Sequence, residues 1–465
     1  MMDREFISVD IGSTYTKGAL FSLPLASDRF LLKKQALHPT TVDLPMRGVQ
    51  YILNALQAPM DTPIYYSSSA KGGLSIVAIG IVPELTLYMA KLTAYSAGGK
   101  IVKVFDFKLS LSDIQLIDEL RPDIILFAGG TDGGNERYNL HNAKLLQSLT
   151  CETTILYAGN RAIADEIAIL LKDKPLEIAP NILPSIDSPF PEAAREKIRE
   201  IFLKRIVECK GLQDIRDLVG RDPYPTPYSV FELIKKIPIY RVDWDSFCLV
   251  DMGGATTDFY SYDHETHEAG IVYKGIQEPD EKRTVEGDLG MRVSAASTFA
   301  AGCYYLEKVY STEVLDRFEL YVKKITAYTD FLPTEAEEID FDHALARICL
   351  GLSALRHAGT RRKIFTANGE SFLQQGKNLL SVQKIIGTGG FLSNSEHFHV
   401  DPHLLTSFKQ AADDVIELLP QTIRYYVDIN YVIPLLANLS HDYPKESVNS
   451  AIDAIQLATL TGNPS

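Results

Sequence analysis

The feature that most constrains this chain is a strand-and-turn pattern that occurs twice, about 240 residues apart. In each copy an apolar segment ends in aspartate, a glycine follows two residues later, and threonine lies in the turn. The first copy, VDIGSTYTKGAL, begins at Val9, and the second, VDMGGATTDFYS, begins at Val250. Lys17 and Asp258 occupy matching positions. A repeat at this distance predicts duplicated lobes, because solenoid repeats are much shorter.

Each copy opens a run of strand-like segments separated by short reversals. The segments are residues 5–10, 15–23 and 29–38 in the first copy, and 246–251, 259–262 and 268–276 in the second. Such runs predict antiparallel meanders. We therefore expect an N-terminal lobe, residues 1–245, and a C-terminal lobe, residues 246–465.

Strands alternate with amphipathic helices between the two copies. Apolar segments at 74–82, 100–106, 122–130 and 153–159 are predicted strands, and this alternation is typical of a doubly wound parallel sheet. We predict that this α/β unit is inserted in the N-terminal lobe at about residues 62–175. Beyond it, Thr226 is expected to cap a helix that Pro227 opens.

The rest of the C-terminal lobe is predicted to be mainly helical. Helices are expected from about Gly287 onward, over 341–359, over 403–419 and over 443–460. One strand-turn, VQKIIGTGGFLSN at residues 382–394, interrupts them. The fold class is thus α/β.

Composition narrows the class of function. The 465 residues include 60 acidic and 46 basic side chains, and a net charge of −14 provides no general attraction for nucleic acid or anionic lipid. The cysteines are odd in number, widely spaced and never in a C-x-x-C pair, which argues against a disulfide scaffold or a zinc finger: Cys151, Cys209, Cys248, Cys303 and Cys349. With no leader and no membrane-length apolar window, we expect a cytoplasmic protein.

The two turns have the chemistry of a phosphate site. Glycine lets the main chain approach a ligand closely, so backbone amides and hydroxyls can meet phosphate oxygens. Asp10 and Asp251 would then hold Mg²⁺, largely through water, as this ion prefers with one or two carboxylates. The third glycine-rich turn, GTGG, follows an apolar strand and suits a nucleoside. The chain lacks the motifs of P-loop and Rossmann proteins.

VDIGSTYTKG, VDMGGATTDF and IIGTGGF resemble the phosphate-1, phosphate-2 and adenosine motifs of the superfamily of actin, sugar kinase and heat-shock chaperone ATPases. This resemblance implies a two-lobed, ribonuclease H-like fold that binds ATP and Mg²⁺. Further segments, among them FAGGTDGGNERYNLHNAKLL, GRDPYPTP and RTVEGDLGMR, resemble the GlmL or MutL family of glutamate mutase accessory proteins over nearly the full chain. The family resemblance implies a reactivating factor for an adenosylcobalamin-dependent mutase, either glutamate mutase or an amino-acid aminomutase, and a homodimer is one expectation.

The motif positions imply roles for individual residues. Asp251 would orient the attacking water, directly or through Mg²⁺, and Lys17 would neutralise phosphate charge unless it is a solvated strand residue. Asp258 is either a supporting carboxylate or an exposed turn residue. The expected nucleotide-binding residues are Gly12, Ser13 and Thr14 in the first turn, Gly253, Gly254, Thr256 and Thr257 in the second, Glu286 and Gly287 with Asp288 after the third strand, and Gly387, Thr388, Gly389 and Gly390 near adenosine.

Other functions stay open at this point. A metabolite kinase of the same superfamily would need an acceptor pocket with a base, which no further acidic motif identifies. An activator of a radical dehydratase would need an iron–sulfur cluster, for which a dimer would pool Cys151 with its copy. The fourth hypothesis is a scaffold protein that carries out no nucleotide chemistry.

Three further segments invite a functional reading. The histidines of EHFHVDPH (His397, His399 and His403) and the segment HETHE at 264–268 lack metal-ligand spacing, so we expect a polar loop and a hairpin tip. The turn FAGGTDGGN, with Thr131, Asp132, Gly133 and Gly134, follows a predicted parallel strand, where α/β sheets bind ligands. It is either a second binding site or a tight connection. The insert lacks D-x-H-x-x-G, so we expect it to dock on the mutase without binding cobalamin.

Overall fold

The computed structural model describes residues 3–41, 44–69, 74–207, 212–265, 268–366, 369–395, 398–409 and 414–458. The chain packs as two compact units, one formed by Met1–Lys71 with Leu218–Ser465 and the other by Gly72–Asp217. Within the described ranges, no helix combines the length and the apolar character needed to cross a membrane.

The strands are, in chain order, β1 (Arg4–Ile11), β2 (Tyr15–Leu23), β3 (Leu31–Pro39), β4 (Ile64–Ser68), β5 (Ser75–Ile79), β6 (Lys100–Phe105), β7 (Ile124–Phe127), β8 (Thr154–Tyr157), β9 (Leu176–Ile178), β10 (Tyr224–Pro225), β11 (Phe247–Met252), β12 (Thr257–Tyr262), β13 (Ile271–Tyr273), β14 (Glu281–Glu286), β15 (Thr360–Thr366), β16 (Gly369–Gln375), β17 (Lys384–Thr388), β18 (Val415–Glu417), β19 (Arg424–Val427) and β20 (Gln456–Leu457).

The α-helices are α1 (Pro45–Leu56), α2 (Tyr88–Ser96), α3 (Leu111–Leu120), α4 (Arg137–Leu146), α5 (Ala164–Leu170), α6 (Glu192–Phe202), α7 (Gln213–Val219), α8 (Thr226–Tyr240), α9 (Ala295–Ala301), α10 (Cys303–Val309), α11 (Thr312–Ala327), α12 (Ala336–His357), α13 (Pro402–Thr406), α14 (Ile433–Leu439) and α15 (Pro444–Ala454).

Two of the three sheets that the structure describes in the larger unit repeat one strand arrangement. In the first, β3, β2 and β1 are antiparallel neighbours, and β4 and β10 continue the sheet parallel to β1. In the second, β14, β12 and β11 are antiparallel neighbours, and β17 and β19 continue it parallel to β11. This repetition confirms the duplicated meanders predicted from the sequence. The lobe boundaries, residues 1–245 and 246–465, stay a prediction.

The third strand of the second meander was predicted at residues 268–276, and this was wrong. Within that segment β13 pairs with β16 in a separate four-stranded sheet, and β14 takes the third place beside β12. The strand β14 has the charged sequence EKRTVE, which hides the apolar pattern of a buried strand. Its charges are paired instead, with Lys282 Nζ 3.2 Å from Glu278 and Arg283 against Asp258.

The C-terminal helices also differ from expectation. The helix expected from about Gly287 begins only at Ala295, because residues 287–294 fold back over the second turn. In the segment 403–419, predicted as one helix, α13 ends at Thr406 and β18 pairs with β15; residues 410–413 lie outside the described ranges. Short strands such as β18 take their structure from the neighbouring strand and not from their own sequence pattern.

The smaller unit contains the predicted parallel sheet, in the order β6-β5-β7-β8-β9 with every pairing parallel. Its compact unit spans Gly72–Asp217, against the expected 62–175. The difference has a clear cause at the first end, because β4 pairs with β1 and therefore belongs to the first sheet. At the other end, β9, α6 and the first residues of α7 extend the unit beyond the last predicted strand.

One hydrophobic core joins the two duplicated sheets. It contains Phe6 from the first sheet, Tyr260 from the second, Phe231 from α8 and Leu436 from α14, all at most 2% exposed. Removing one such aromatic side chain typically costs about 3–5 kcal/mol. Because both sheets share this core, the turns at their strand ends are held at fixed positions relative to each other.

Candidate functional site

The two glycine turns have equivalent backbone geometry. The amide of Gly12 donates to the carbonyl oxygen of Tyr15 at 3.1 Å, and the amide of Gly253 donates to that of Thr256 at 2.9 Å. The strand registers also match, since Asp10 lies opposite Lys17 and Asp251 lies opposite Asp258. The duplication therefore extends to the individual hydrogen bonds of the turns.

The two turns approach each other closely. A Cβ atom built on Gly254 would lie 2.6 Å from the hydroxyl oxygen of Thr14, so a side chain at this position would force Thr14 to shift. That hydroxyl is buried and has no hydrogen-bond partner among the described residues. Ser13, between Gly12 and Thr14, is half-buried. An unpaired buried hydroxyl beside two glycine turns fits a polar ligand that approaches the main chain.

Asp10 lies at the centre of this region and is only 2% exposed. Its Oδ1 accepts hydrogen bonds from Thr226 at 2.6 Å and Ser67 at 3.3 Å, and its Oδ2 accepts one from the Tyr431 hydroxyl at 3.0 Å. The prediction that Thr226 caps a helix was wrong, since α8 begins at Thr226 and no side chain caps it. The Thr226 hydroxyl bonds Asp10 instead.

Asp251 contrasts with Asp10, because its carboxylate makes no side-chain hydrogen bond with the residues that the structure describes. Burial, together with the negative charges of Asp258, Asp10 and Asp428, raises the pKa of Asp251 from 3.8 to about 7, and Lys17 acts in the opposite direction. A carboxylate in this state gains most from an added cation.

Lys17 points into the site and is not a solvated strand residue. Its Nζ lies 3.0 Å from the ring centroid of Tyr431, a cation–π contact. Burial lowers the pKa of Lys17 from 10.5 to about 8, although Asp10, Asp251 and Asp428 all favour its charged form. The ammonium is therefore surrounded by carboxylates but rests on a neutral ring.

The second turn is hydrogen-bonded to the segment that follows β14, residues 287–294. The amides of Met291 and Arg292 donate to the carbonyl oxygens of Gly253 and Gly254 at 3.0 and 2.9 Å. The guanidinium of Arg292 forms a buried ion pair with Asp342, at 2.8 Å. This segment fixes the orientation of the turn's peptide groups.

Both threonine hydroxyls of the second turn donate hydrogen bonds to other groups of the protein. The Thr256 hydroxyl donates to Asp258 at 3.4 Å, and the Thr257 hydroxyl donates to the carbonyl oxygen of Leu289 at 3.0 Å. Asp258 itself is 5% exposed and pairs with Arg283, Nε to Oδ1 at 2.9 Å. Asp258 is therefore a buried supporting carboxylate and not an exposed turn residue.

The third turn, residues 387–390, packs against β11, the strand that carries Asp251. Gly389 has a φ of +105°, and a Cβ there would lie 2.2 Å from the carbonyl oxygen of Met252. Gly387 and Thr388 are buried, whereas Gly390 is exposed. The Thr388 hydroxyl donates to Asp428 at 2.8 Å. The turn thus joins the site, with Gly390 as its accessible residue.

The last residue of β14 and the segment that follows it carry an ionic cluster. Glu286 and Asp288 both contact the guanidinium of Arg356, at 2.6 and 2.7 Å, and Gly287 lies between them. Burial and these two partners act in opposite directions on the guanidinium, and the partners prevail, so the pKa of Arg356 is raised. The acidic side chains expected near the nucleotide are therefore held by an arginine.

Sequence reasoning missed Asp428, Tyr431 and the true role of Thr226. Asp428 is fully buried, and it accepts hydrogen bonds from the amides of Val432 and Ile433 at 2.8 and 3.0 Å. A signal was available, because VDI occurs both at residues 9–11 and at residues 427–429, each time at the end of a strand. Tyr431 has no such signal.

The donor set fits a hydrated divalent cation beside phosphate. Asp10 and Asp251 supply two carboxylates, which suits Mg²⁺ because this ion keeps most of its water ligands. Within the described part of the chain, no group of three histidine, cysteine or acidic side chains is close enough to form a fully protein-ligated metal site. His399 and His403 belong to that part, but His397 and His267 do not.

The FAGGTDGGN turn, in the smaller unit, is held by buried amide side chains. Asn139 donates to the carbonyl oxygen of Gly129 at 2.8 Å, and Asn181 donates to Asp132 at 2.9 Å. The Gly133 amide donates to Asn160 at 2.9 Å. These bonds, with the one from the Gly134 amide to the Thr131 carbonyl oxygen at 2.9 Å, account for the turn as a tight connection.

The fold and the site define a class of protein. A duplicated five-strand arrangement in which both equivalent first strands carry an aspartate at their penultimate position is the actin-like fold, as predicted. Sequence comparison adds the family. The MutL protein family model matches residues 6–453, and the chain belongs to this family. Protein MutL from Clostridium tetanomorphum is 34% identical over 456 residues, which cover 95% of this chain and 97% of that protein.

Solved structures with similar chain traces share little sequence. The diol dehydratase-reactivating factor in nucleotide-free form has 9% identity and a TM-score of 0.32, covering 87% of this chain and 94% of its own. Gluconate kinase from Lactobacillus acidophilus has 10% identity and a TM-score of 0.32, covering 98% and 93%. Nucleotide-free acetone carboxylase has 11% identity and a TM-score of 0.30, and this chain spans about half of it, 49%, with 63% of its own length. Similarity at this level carries no argument about function.

Proposed function

We propose that this protein binds ATP with Mg²⁺ between its two glycine turns and hydrolyses it slowly, as an accessory factor for a partner enzyme. The observation that carries the proposal is the close approach of the two equivalent turns, where the unpaired hydroxyl of Thr14 lies directly against Gly254. Two such turns present main-chain amides and glycine surfaces to one anionic chain of phosphates.

Asp10 and Asp251 are the proposed ligands of the hydrated cation. When bound, Mg²⁺ would supply positive charge that neutralises the phosphates and the developing negative charge. Asp251 is the better candidate to orient a water molecule, because no described side chain occupies its carboxylate. Lys17 contributes a further positive charge near the first turn. Gly12 and Ser13, with Gly253, line the phosphates.

The adenosine moiety is proposed to lie by the third turn. Gly387, Thr388 and Gly389 form its inner, buried part, and Gly390 forms its accessible part. Glu286 ends β14, and Gly287 begins the segment that also supports the second turn. The helix α8 begins at the Thr226 that bonds Asp10, and α8 belongs to the core shared by both sheets. Nucleotide binding at Asp10 would therefore bias the packing of this helix.

The proposed partner is an adenosylcobalamin-dependent mutase, either glutamate mutase or an amino-acid aminomutase. The sequence resemblance to the glutamate mutase accessory family supports this proposal, and the MutL family match is consistent with it. A partner that binds one nucleotide state better than the other would be remodelled or released as the nucleotide changes. We expect the smaller unit to be the docking element. The reactivating role, the cytoplasmic location and a homodimeric state are proposals on the same basis.

Calorimetric titration of ATP with and without Mg²⁺, on the full chain and on the Asp10→Asn and Asp251→Asn variants, tests the site. We expect each variant to lose Mg²⁺-dependent affinity by at least about tenfold, the scale of a lost charge-assisted contact. Asp245→Asn, at an exposed carboxylate, is the matched control. Unchanged affinity in both site variants would contradict the proposal.

A second experiment tests the partner and the reaction. The tagged protein is purified from its native cells with ATP or ADP, and the bound proteins are assayed for cobalamin content. Recovery of a cobalamin enzyme in a nucleotide-dependent manner is the expected result. Release of phosphate from ATP in the absence of any small acceptor separates an ATPase from a metabolite kinase, which would need an acceptor.

A further inference from the structure

One side chain from the loop that follows the second sheet's strand β19 contacts both charged groups that flank the first turn. The hydroxyl of Tyr431 donates to Asp10 Oδ2 at 3.0 Å, and Lys17 Nζ lies 3.0 Å from the centre of its ring. Tyr431 belongs to the loop between β19 and α14, and α14 packs on the first sheet through the hydrogen bond from the Ser8 hydroxyl to the Leu435 carbonyl oxygen, at 2.7 Å.

The backbone of Tyr431 is held in an unfavourable conformation. Its φ of +50° lies in the left-handed region, which a bulky non-glycine residue rarely adopts. The loop enforces it, because the Tyr431 amide donates to the Asp428 carbonyl oxygen at 3.1 Å while the Asp428 carboxylate binds the next two amides. Strain of this kind is concentrated at functional sites and persists only where surrounding bonds maintain it.

The Tyr431 ring stabilises the Lys17 ammonium without pairing it directly with a carboxylate. Lys17 interacts with Asp10, Asp251 and Asp428, and a direct ion pair with any of them would neutralise a carboxylate that the site needs. The tyrosine ring binds the ammonium through its π face, which leaves the carboxylate oxygens free of it. At the same time the phenol hydroxyl fixes one oxygen of Asp10.

We propose that Tyr431 is a positioning residue of the nucleotide site: its hydroxyl orients Asp10, and its ring places the Lys17 ammonium for the phosphates. This inference rests on the proposed function, since it assigns Tyr431 a role toward the same ligand. In the nucleotide-free protein, the Tyr431 ring shields the Lys17 ammonium.

Two variants separate the hydroxyl from the ring. Tyr431→Phe keeps the ring and removes the donor to Asp10, and Tyr431→Leu removes both contacts. Tyr328→Phe, at a ring that is 66% exposed, is the control. Calorimetric titrations use ATP with and without Mg²⁺. We expect Tyr431→Phe to lower affinity about tenfold with Mg²⁺ and little without it, and Tyr431→Leu to lower affinity in both conditions.

Acetylation of lysines by acetic anhydride, followed by peptide mass spectrometry, examines the ring without any nucleotide. The labelling rate of Lys17 is measured relative to the exposed Lys33 in the same sample. We expect Tyr431→Leu to raise the Lys17 rate at least about threefold, because the ammonium loses its cation–π partner, and Tyr431→Phe to leave it unchanged. A merely structural role would not produce this difference.

The outcomes are distinct. Mg²⁺-dependent loss in Tyr431→Phe and faster Lys17 labelling in Tyr431→Leu support the inference. Wild-type ATP affinity in Tyr431→Phe, or a wild-type Lys17 labelling rate in Tyr431→Leu, overturns it. If the unaltered protein binds no ATP, the proposed function fails, and the labelling result alone decides whether Tyr431 positions Lys17. If Tyr431→Leu does not fold, the ATP titration of Tyr431→Phe alone tests the inference.

Discussion

Replacing Asp251 by asparagine is expected to stabilise the nucleotide-free protein. The folded state raises the pKa of this carboxyl from 3.8 to about 7 because it buries the charge beside Asp258, Asp10 and Asp428. At 1.36 kcal/mol per pKa unit, a shift of this size corresponds to a ceiling of about 4 kcal/mol at pH 8. The raised pKa already includes the opposing attraction to Lys17. The asparagine amide is itself buried without a hydrogen-bond partner among the described residues, which offsets part of the gain, so we expect a net gain of about 2 kcal/mol.

The pH dependence follows from the sign of the shift. Below pH 3.8 the carboxyl is protonated in both the folded and the unfolded chain, and above about pH 7 it is ionised in both. Between these values the folded chain binds more protons, so the free energy of unfolding falls as the pH rises. The advantage of Asp251→Asn should therefore be absent near pH 4 and complete by pH 8.

Urea unfolding followed by tryptophan fluorescence measures the free energy of unfolding of the unaltered protein and of Asp251→Asn. Trp244 is the one tryptophan of the sequence, is 5% exposed, and lies in the same compact unit as Asp251. Asp245→Asn, at an exposed carboxylate, controls for the loss of one negative charge. An unfolding free energy at pH 8 that is equal to or below that of the unaltered protein would refute the reasoning, as would a gain that persists undiminished at pH 4.

Three further substitutions test other parts of the site. Thr226→Val removes the 2.6 Å hydrogen bond to buried Asp10, and we expect a loss of about 1–3 kcal/mol in the same urea assay. Gly254→Ala places a methyl group 2.6 Å from the Thr14 hydroxyl, so calorimetry should show ATP affinity reduced by at least about tenfold with little change in fold by circular dichroism. Asp258→Asn leaves a buried guanidinium without its ion partner, and a destabilisation of about 3–5 kcal/mol is expected by urea unfolding.

The repeated turns show why part of the fold was predictable. A strand that ends in Asp-x-Gly is a local signal, and both copies formed the expected hairpins with matching hydrogen bonds. The parallel sheet of the smaller unit was also predictable, because buried strands in such sheets are continuous apolar runs. The third strand of the second meander was not, since the charged segment EKRTVE has no apolar strand pattern and buries its charges in ion pairs, Lys282 with the nearby Glu278 and Arg283 with Asp258 of the neighbouring strand.

The candidate site divides in the same way. Asp10, Asp251 and the glycines could be named from their motifs, because those residue types and spacings carry the chemistry themselves. Tyr431 and Thr226 could not be identified as partners of Asp10, because each lies more than 200 positions away in sequence and only the packing brings it there. The hydroxyl of Thr226 has an equally plausible local role as a helix cap, which tertiary contact overrode.

The sequence by itself therefore determined the duplicated hairpins, the family and the first set of charged and glycine residues, because short-range patterns encode strand, turn and motif. The tertiary structure alone decided the direction of Lys17, the buried pairing of Asp258 and the elevated pKa of Asp251. These properties depend on burial and on charges contributed by distant segments, and the free energy of a buried charge is set by everything that surrounds it.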